Sequence, residues 1–277
     1  MANHLLMNNL ITDDLTITHV ADVTSITETT SKTKLLNGQL EDAYLFQTTS
    51  GDSSTITISN IRTSANGNYI GAISIQNWEY PYINIQSVTA YKGATSYTTT
   101  ELCRVQDATG IDTDSRIMQQ ITFALDNGNT GQIDKIEIYM TTTASAGHDF
   151  KLGHVYAGEL FDVSISPNKA TYSAQVLNSS DFSRGGQKYY STPVVLKTAK
   201  HNITHITDTN TNLIYQASLN HGTTKPLILL DSSGYGKYRN IYGTYQSFPT
   251  FQTIESLEDV GKWYTTANID MNTEKII

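Results

Sequence analysis

The sequence predicts a mainly β protein, a β-sandwich over residues 1–160 followed by a smaller α+β unit with one helix over 161–277. Three observations carry that prediction. Threonine fills 40 of the 277 positions, and its branched Cβ favours strands and penalises helices. Short segments of alternating polarity recur along the first half, separated by Gly, Asn, Asp and Ser clusters. A single segment with helix-start and helix-stop residues stands in the second half. A length of 277 residues accommodates one large β domain or two smaller ones.

Taken in order, "STITISNI" (Ser54–Ile61) alternates, and "YIGAISIQNW" (Tyr69–Trp78) follows the polar turn "SANGN". "INIQSVTAY" (Ile83–Tyr91) precedes Lys92-Gly93. "IMQQITFAL" and "QIDKIEIYM" flank "DNGNTG", which has hairpin turn chemistry. In the second arm Ile136, Ile138 and Met140 share one face, and Lys135, Glu137 and Tyr139 share the other. "KLGHVYAGELFDVSISP" (Lys151–Pro167) reads as one long strand. Parity puts His154 and Asp162 on one face and Glu159 on the other, so these three cannot converge as a site. The alternative reading makes them the solvent-facing half of a sheet.

Beyond Pro167, "ATYSAQVLNSS" and "KYYSTPVVLKT" read as strands around the polar turn "DFSRGGQ". "DTNTNLIYQASLNHG" opens on Asp208 as N-cap and stops at Gly222, with Leu213, Ile214 and Ala217 as its apolar positions. "KPLILLD" is a short buried strand, and "IYGTYQSF", "FQTIESL" and "KWYTTANIDM" close the chain as alternating strands.

Composition excludes several functions. Charged residues are only 16% and the net charge is −8. Lys and Arg are scattered with no basic stripe, so a counterion-releasing nucleic-acid surface is not expected. The lone Cys103 allows no intrachain disulfide. "MANHLLMNNLITDDL" has neither the basic start and apolar run of a signal peptide nor the length of a membrane span. Tyr outnumbers Phe, 17 to 7, which suits half-wet protein contacts.

Candidate chemistry is sparse. "HNITH" spaces His201 and His205 as helical metal ligands, but Asn, Ile and Thr between them are poor helix formers and no Glu of an HExxH motif is present. "DNGNTGQID" (Asp126, Asn127, Asn129, Asp134) departs from the calcium-loop order at Gly128 and Thr130. "DATGIDTDSR" supplies Asp107, Asp112 and Asp114 without a defined geometry. "LILLDSSGYGKYR" lacks the Walker pattern, with Asp231 and Tyr238 at its fixed positions. No nucleophile motif accompanies Cys103, so no enzyme, cofactor or metal is expected. "NWEYPYIN" is the one aromatic cluster with a binding reading. Trp78, Tyr80 and Tyr82 at i, i+2, i+4 suit either stacking on a sugar ring or anchoring on a neighbouring subunit.

Several of these segments, in this order, carry a family resemblance. "LLNGQLEDAYLFQTTSGDSSTITISN", "YIGAISIQNW", "INIQSVTAYKG" and "KLGHVYAGELFDVSISPN" together resemble tailed-bacteriophage tail and virion structural proteins with an N-terminal galactose-binding-like (discoidin-like) jelly roll. In that pattern an apolar strand ends in Asn, here Asn77, and a later Gly-x-x-x-x-Gly strand, here Gly153 to Gly158, leaves the sandwich. "YSAQVLNSSDFSRGGQKYY" is similar to the segment that follows it; His154 departs from the pattern, which often has Arg there. The resemblance implies a jelly roll over residues 1–160 and an assembly domain over 161–277. It implies a non-enzymatic virion component at the tail, collar, baseplate or fibre attachment. Other virion proteins are the implied partners, along with copies of the chain around the tail axis. A receptor module for host surface glycan is the alternative. The terminal Ile276 and Ile277 are expected at a subunit contact, because two isoleucines suit a docked strand better than a solvated tail.

Overall fold

The computed structural model describes residues 3–23, 25–38, 42–48, 52–61, 69–105, 119–126, 132–143, 147–163, 169–177, 180–182, 188–190, 194–206, 208–231, 240–245, 247–255 and 263–273, with backbone alone over 162–210 and 253–273. The chain divides into two compact units. One comprises Leu6–Leu160 with Gly234–Tyr238; the other comprises Met1–Leu5, Phe161–Ser233 and Arg239–Ile277.

The strands up to residue 163 are β1 (Asn3–Met7), β2 (Thr16–Ala21), β3 (Thr27–Glu28), β4 (Tyr44–Gln47), β5 (Ser53–Ser59), β6 (Ala72–Gln76), β7 (Ile83–Lys92), β8 (Thr95–Tyr97), β9 (Thr99–Val105), β10 (Gln120–Leu125), β11 (Lys135–Thr142), β12 (Phe150–Leu152) and β13 (His154–Val163). The first unit is built from sheets packed face to face. One is five-stranded in the order β2-β5-β11-β7-β8, and all its pairs are antiparallel. A second run, β13-β6-β10-β9, is likewise antiparallel. A short sheet, β12-β4-β3, completes the unit. Alternation explains the packing: β5 and β11 bury every second residue. Ile56, Ile58, Ile136, Ile138 and Met140 from one sheet meet Ile73, Ile75, Ile121, Phe123 and Val155 from the other in one core.

Two expectations change here. The segments flanking "DNGNTG" do not form a hairpin. β10 pairs with β6 and β9, whereas β11 pairs with β5 and β7. Their apolar faces oppose each other across the core instead of sharing ladder bonds; residues 127–131 of that turn lie outside the described residues. β6 is buried at all its positions. His154 is not solvent-facing either: it is fully buried with Tyr156, and β13 is covered on both faces from His154 to Gly158. A central strand loses the polar-out alternation that a half-exposed strand keeps.

The second unit follows with β14 (Lys169–Leu177), β15 (Ser180–Phe182), β16 (Lys188–Tyr190), β17 (Val194–Ile206), helix α1 (Asp208–His221), β18 (Leu227–Asp231), β19 (Ile241–Tyr245), β20 (Thr250–Glu255) and β21 (Trp263–Thr273). β14 pairs with β17 and β15 with β16, so the two strands expected around "DFSRGGQ" are each split in two. β21 takes β17 on one side and β20 followed by β19 on the other. Helix α1 buries Ile214, Ala217, Ser218 and His221, an i, i+3, i+4, i+7 face. It ends where Gly222 turns to φ +72° and donates its N–H to Ser218 O at 2.9 Å.

Candidate interaction site

The aromatic loop between β6 and β7 is the segment to which the sequence assigns recognition, and its geometry divides the three rings. Asn77 adopts φ +54°, which reverses the chain at the end of β6. Its N–H donates to Gln119 O at 2.7 Å. Trp78 turns inward, only 2% exposed, and joins the core. Tyr80 packs partly buried against that core, and the Tyr80–Pro81 peptide is cis. Tyr82 is 42% exposed. A stacking platform of three rings is therefore not formed. Trp78 has no ring face to offer, because it follows the chain reversal at Asn77 into the core, whereas Tyr82, four residues on, stays outside.

What the loop presents instead is Tyr82 with His148 and Glu79. The Tyr82 and His148 rings lie 4.8 Å apart, tilted. His148 Nε2–H donates to Glu79 Oε1 at 3.0 Å, and Lys151 N–H donates to Glu79 Oε2 at 3.1 Å. Below, His148 meets Phe150 edge-on at 5.0 Å, and Phe150 stacks on Phe46 at 5.5 Å. Thr143 fixes the loop by donating N–H to Tyr82 O at 2.9 Å and its hydroxyl to Pro81 O at 3.2 Å. The patch thus offers one open aromatic ring and an imidazole–carboxylate pair on a rigid base. That chemistry serves a sugar hydroxyl or a polar protein surface equally well.

A second cluster was not legible in the sequence. His19 lies between Ser54 Oγ (3.0 Å from Nε2) and Tyr44 OH (3.0 Å from Nδ1). It also meets Phe46 edge-on at 4.6 Å. A serine bonded to a histidine that a third group orients is the outline of a nucleophile and base. Here Ser54 and Tyr44 are fully buried, so no substrate reaches the hydroxyl, and the cluster is a packed polar joint. Burial pulls the His19 pKa down to about 4. His154, whose Nδ1–H donates to Leu35 O at 2.9 Å, is pulled to about 4 by the same cause. Glu159, bonded to Asn8, is shifted upward by burial. His19, Tyr44 and Ser54 come from β2, β4 and β5, and no local spacing links them.

The buried faces of β6 and β10 hold a further polar row that the apolar reading of β6 overlooks. Ser74, Gln76, Gln120 and Thr122 are all fully buried. Gln76 Nε2–H donates to Ser74 Oγ at 2.7 Å, and Ser74 and Thr122 hydroxyls are 2.8 Å apart.

The glycines of the Gly-x-x-x-x-Gly strand are explained by close backbone approach. A Cβ on Gly153 would stand 2.5 Å from Gln76 O and 2.8 Å from Asn77 Cβ; one on Gly158 would stand 2.1 Å from Met7 O. Only glycine fits either place. Asn77 and Gly153, 76 residues apart in sequence (153 − 77), are thus one contact.

The other sequence candidates separate. His201 and His205 lie on β17, an extended strand, where four residues span about 13 Å, beyond one ion's reach. Among the described residues no group of three or more His, Cys, Asp or Glu is placed to hold a metal ion. Asp107, Asp112, Asp114, Ile276 and Ile277 lie outside the described residues. Among those described, no helix is long and apolar enough to cross a membrane. No protein-family model matches the chain, and no curated protein or solved structure does either.

Proposed function

We propose that the protein is a structural component of a tailed-phage virion, at the tail, collar, baseplate or fibre attachment, and that its work is protein–protein assembly. The jelly-roll reading of the sandwich and the participation of identical copies around the tail axis belong to the same proposal. One observation carries it. The two marks of the resemblance, Asn77 at the end of β6 and the Gly153–Gly158 strand, are a single interlock whose glycines are required by backbone contact. Residues used this way define a scaffold. A scaffold whose distinctive positions all serve packing fits a particle component.

The glycan reading stands second and rests on Tyr82, exposed beside the His148–Glu79 pair. The decisive experiment is immunogold labelling of purified intact particles with antibody to this chain, with mass spectrometry of the same preparation. Labelling at one end of the tail supports the proposal; particles lacking the chain overturn it. The role of Ile276 and Ile277 is tested by removing Glu274–Ile277 only. That truncation leaves β21 whole, whereas a cut at Met271 would strip pairs with Ala199, Thr198 and Gly243. Normal incorporation of the truncated chain would discard the tail contact.

A further inference from the structure

We infer that the free edge of β2 is a self-pairing surface, where a second copy of this chain adds its own β2 antiparallel about a two-fold axis through His19. The inference rests on the assembly reading for its occasion and names the surface and partner that reading leaves open. β2 ends the five-stranded sheet, and among the described residues its only strand partner is β5. Asp22 N–H donates to Ser53 O at 2.8 Å. In an antiparallel ladder, bonded pairs alternate, so Thr16, Thr18 and Val20 face β5 with their backbone groups. Ile17, His19 and Ala21 therefore direct theirs at the open edge.

Among the described residues, no lysine, proline or bulge within β2 blunts that edge. Natural edges are blunted by lysine, proline, bulges or extreme shortness. "TITHVA" carries no formal charge and no proline, and its register with β5 runs without a shift over six residue pairs. Its outward side chains Thr16, Thr18 and Val20 are exposed, Val20 by 61%, and Val23 just beyond is 85% exposed.

Charge selects the occupant and its register. Centring the two-fold on Thr18 would set Asp14 opposite the other copy's Asp22, and like charges directly opposite are destabilising. Centring on Val20 would move Ile17 onto Val23, outside the strand. Centring on His19 pairs Ile17 with Ala21, His19 with His19, and Ala21 with Ile17, for about six backbone bonds. Each Asp22 then faces a Thr16, and each exposed Val20 is set beside a Thr18. Of these three registers it alone avoids facing like charges and keeps its paired residues within the strand.

An edge contact of this size is weak in dilute solution, so covalent trapping is the appropriate readout. Thr18 and Val20 would be a non-bonded cross-strand pair, whose close Cα spacing of about 4.5 Å suits a disulfide. Thr18→Cys and Val20→Cys chains are prepared separately, oxidised alone and mixed, with the parent chain as control for Cys103. The mixture should form covalent dimer at least about ten times faster than either variant alone. Self-linking of the Thr18→Cys chain, self-linking of the Val20→Cys chain, or no dimer in the mixture would overturn the register and with it the inference. Ala21→Pro in both chains removes an edge-facing donor from each copy and should cut the yield by at least about tenfold. Because proline can disturb β2 itself, Val20→Lys in both chains serves as the second variant, probed by Thr16→Cys in one chain and Asp22→Cys in the other, the next non-bonded pair of the same register: these should cross-link without the lysine and lose the dimer with it, while the melting temperature stays within about 2 °C. Persistence of dimer in both variants sinks the inference. The assembly reading fails on different data, namely absence of the chain from particles.

Discussion

Two histidine clusters in the same unit use almost the same chemistry to opposite ends. His19 sits half-buried against the fully buried Ser54, Tyr44 and Phe46. His148 sits among Glu79, Tyr82 and Phe150, and its aromatic neighbour Tyr82 is open to solvent. Each pairs an imidazole with an oxygen acceptor and two rings, and Phe46 stacked on Phe150 lies between them. The difference is the side of that stack on which each lies. Composition is therefore a poor guide to exposure: the open ring of Tyr82 is what sets the second cluster apart.

The largest effect that sharpens this contrast is expected at Trp78. Because it is a core residue, Trp78→Ala should destabilise the chain by about 3–5 kcal/mol, read as a lower denaturation midpoint. Tyr82→Ala should cost less than about 0.5 kcal/mol, as an exposed substitution does. Equal losses at both positions would erase the division of the loop into an inner and an outer half. The result also governs any sugar-binding assay: loss of binding on Trp78→Ala would report unfolding, so Tyr82→Ala is the informative variant.

Next comes acid. His19 and His154 titrate near 4 in the folded chain and near 6.5 unfolded. Between those values the unfolded chain binds more protons, so stability is full above about pH 6.5 and falls as pH drops toward 4. Each histidine contributes up to about 3 kcal/mol to that fall. Glu159, with its raised folded pKa, works in the opposite direction and loses its contribution as pH rises. Urea midpoints at pH 7 and pH 4.5 test the sum, and a flat profile would show that the two histidines take up protons freely in the folded chain.

The fold was legible where one face is buried. β5 and β11 show their periods plainly, and Asp208 and Gly222 mark the ends of α1, whose buried face adds the polar Ser218 and His221 to Ile214 and Ala217. It was illegible where both faces are buried or where partners are distant. β6 buries its polar face, Ser74 and Gln76, as fully as its apolar one, and the identity of the sheet that receives β10 depends on long-range pairing that no turn sequence announces. The site was half legible. Aromatic spacing found the loop but not which ring stays outside, and His148 reaches Tyr82 and Glu79 from 66 and 69 residues away (148 − 82, 148 − 79).

The smallest effect on stability carries the most function. Tyr82→Ala and His148→Ala leave the core contacts of Trp78 and Tyr80 in place, so the folded chain should persist with its melting temperature within about 2 °C. If the outer patch meets neighbouring virion proteins, both variants should lower incorporation into particles while glycan binding stays at background. If it meets a host glycan, incorporation should be unchanged and adsorption to cells should fall, with selective array binding lost in Tyr82→Ala. The two readings thus separate on variants that share one stability. A patch in which neither incorporation nor adsorption responds would reduce the contrast between the clusters to solvent exposure alone, and recognition would then have to be sought on another surface such as the β2 edge.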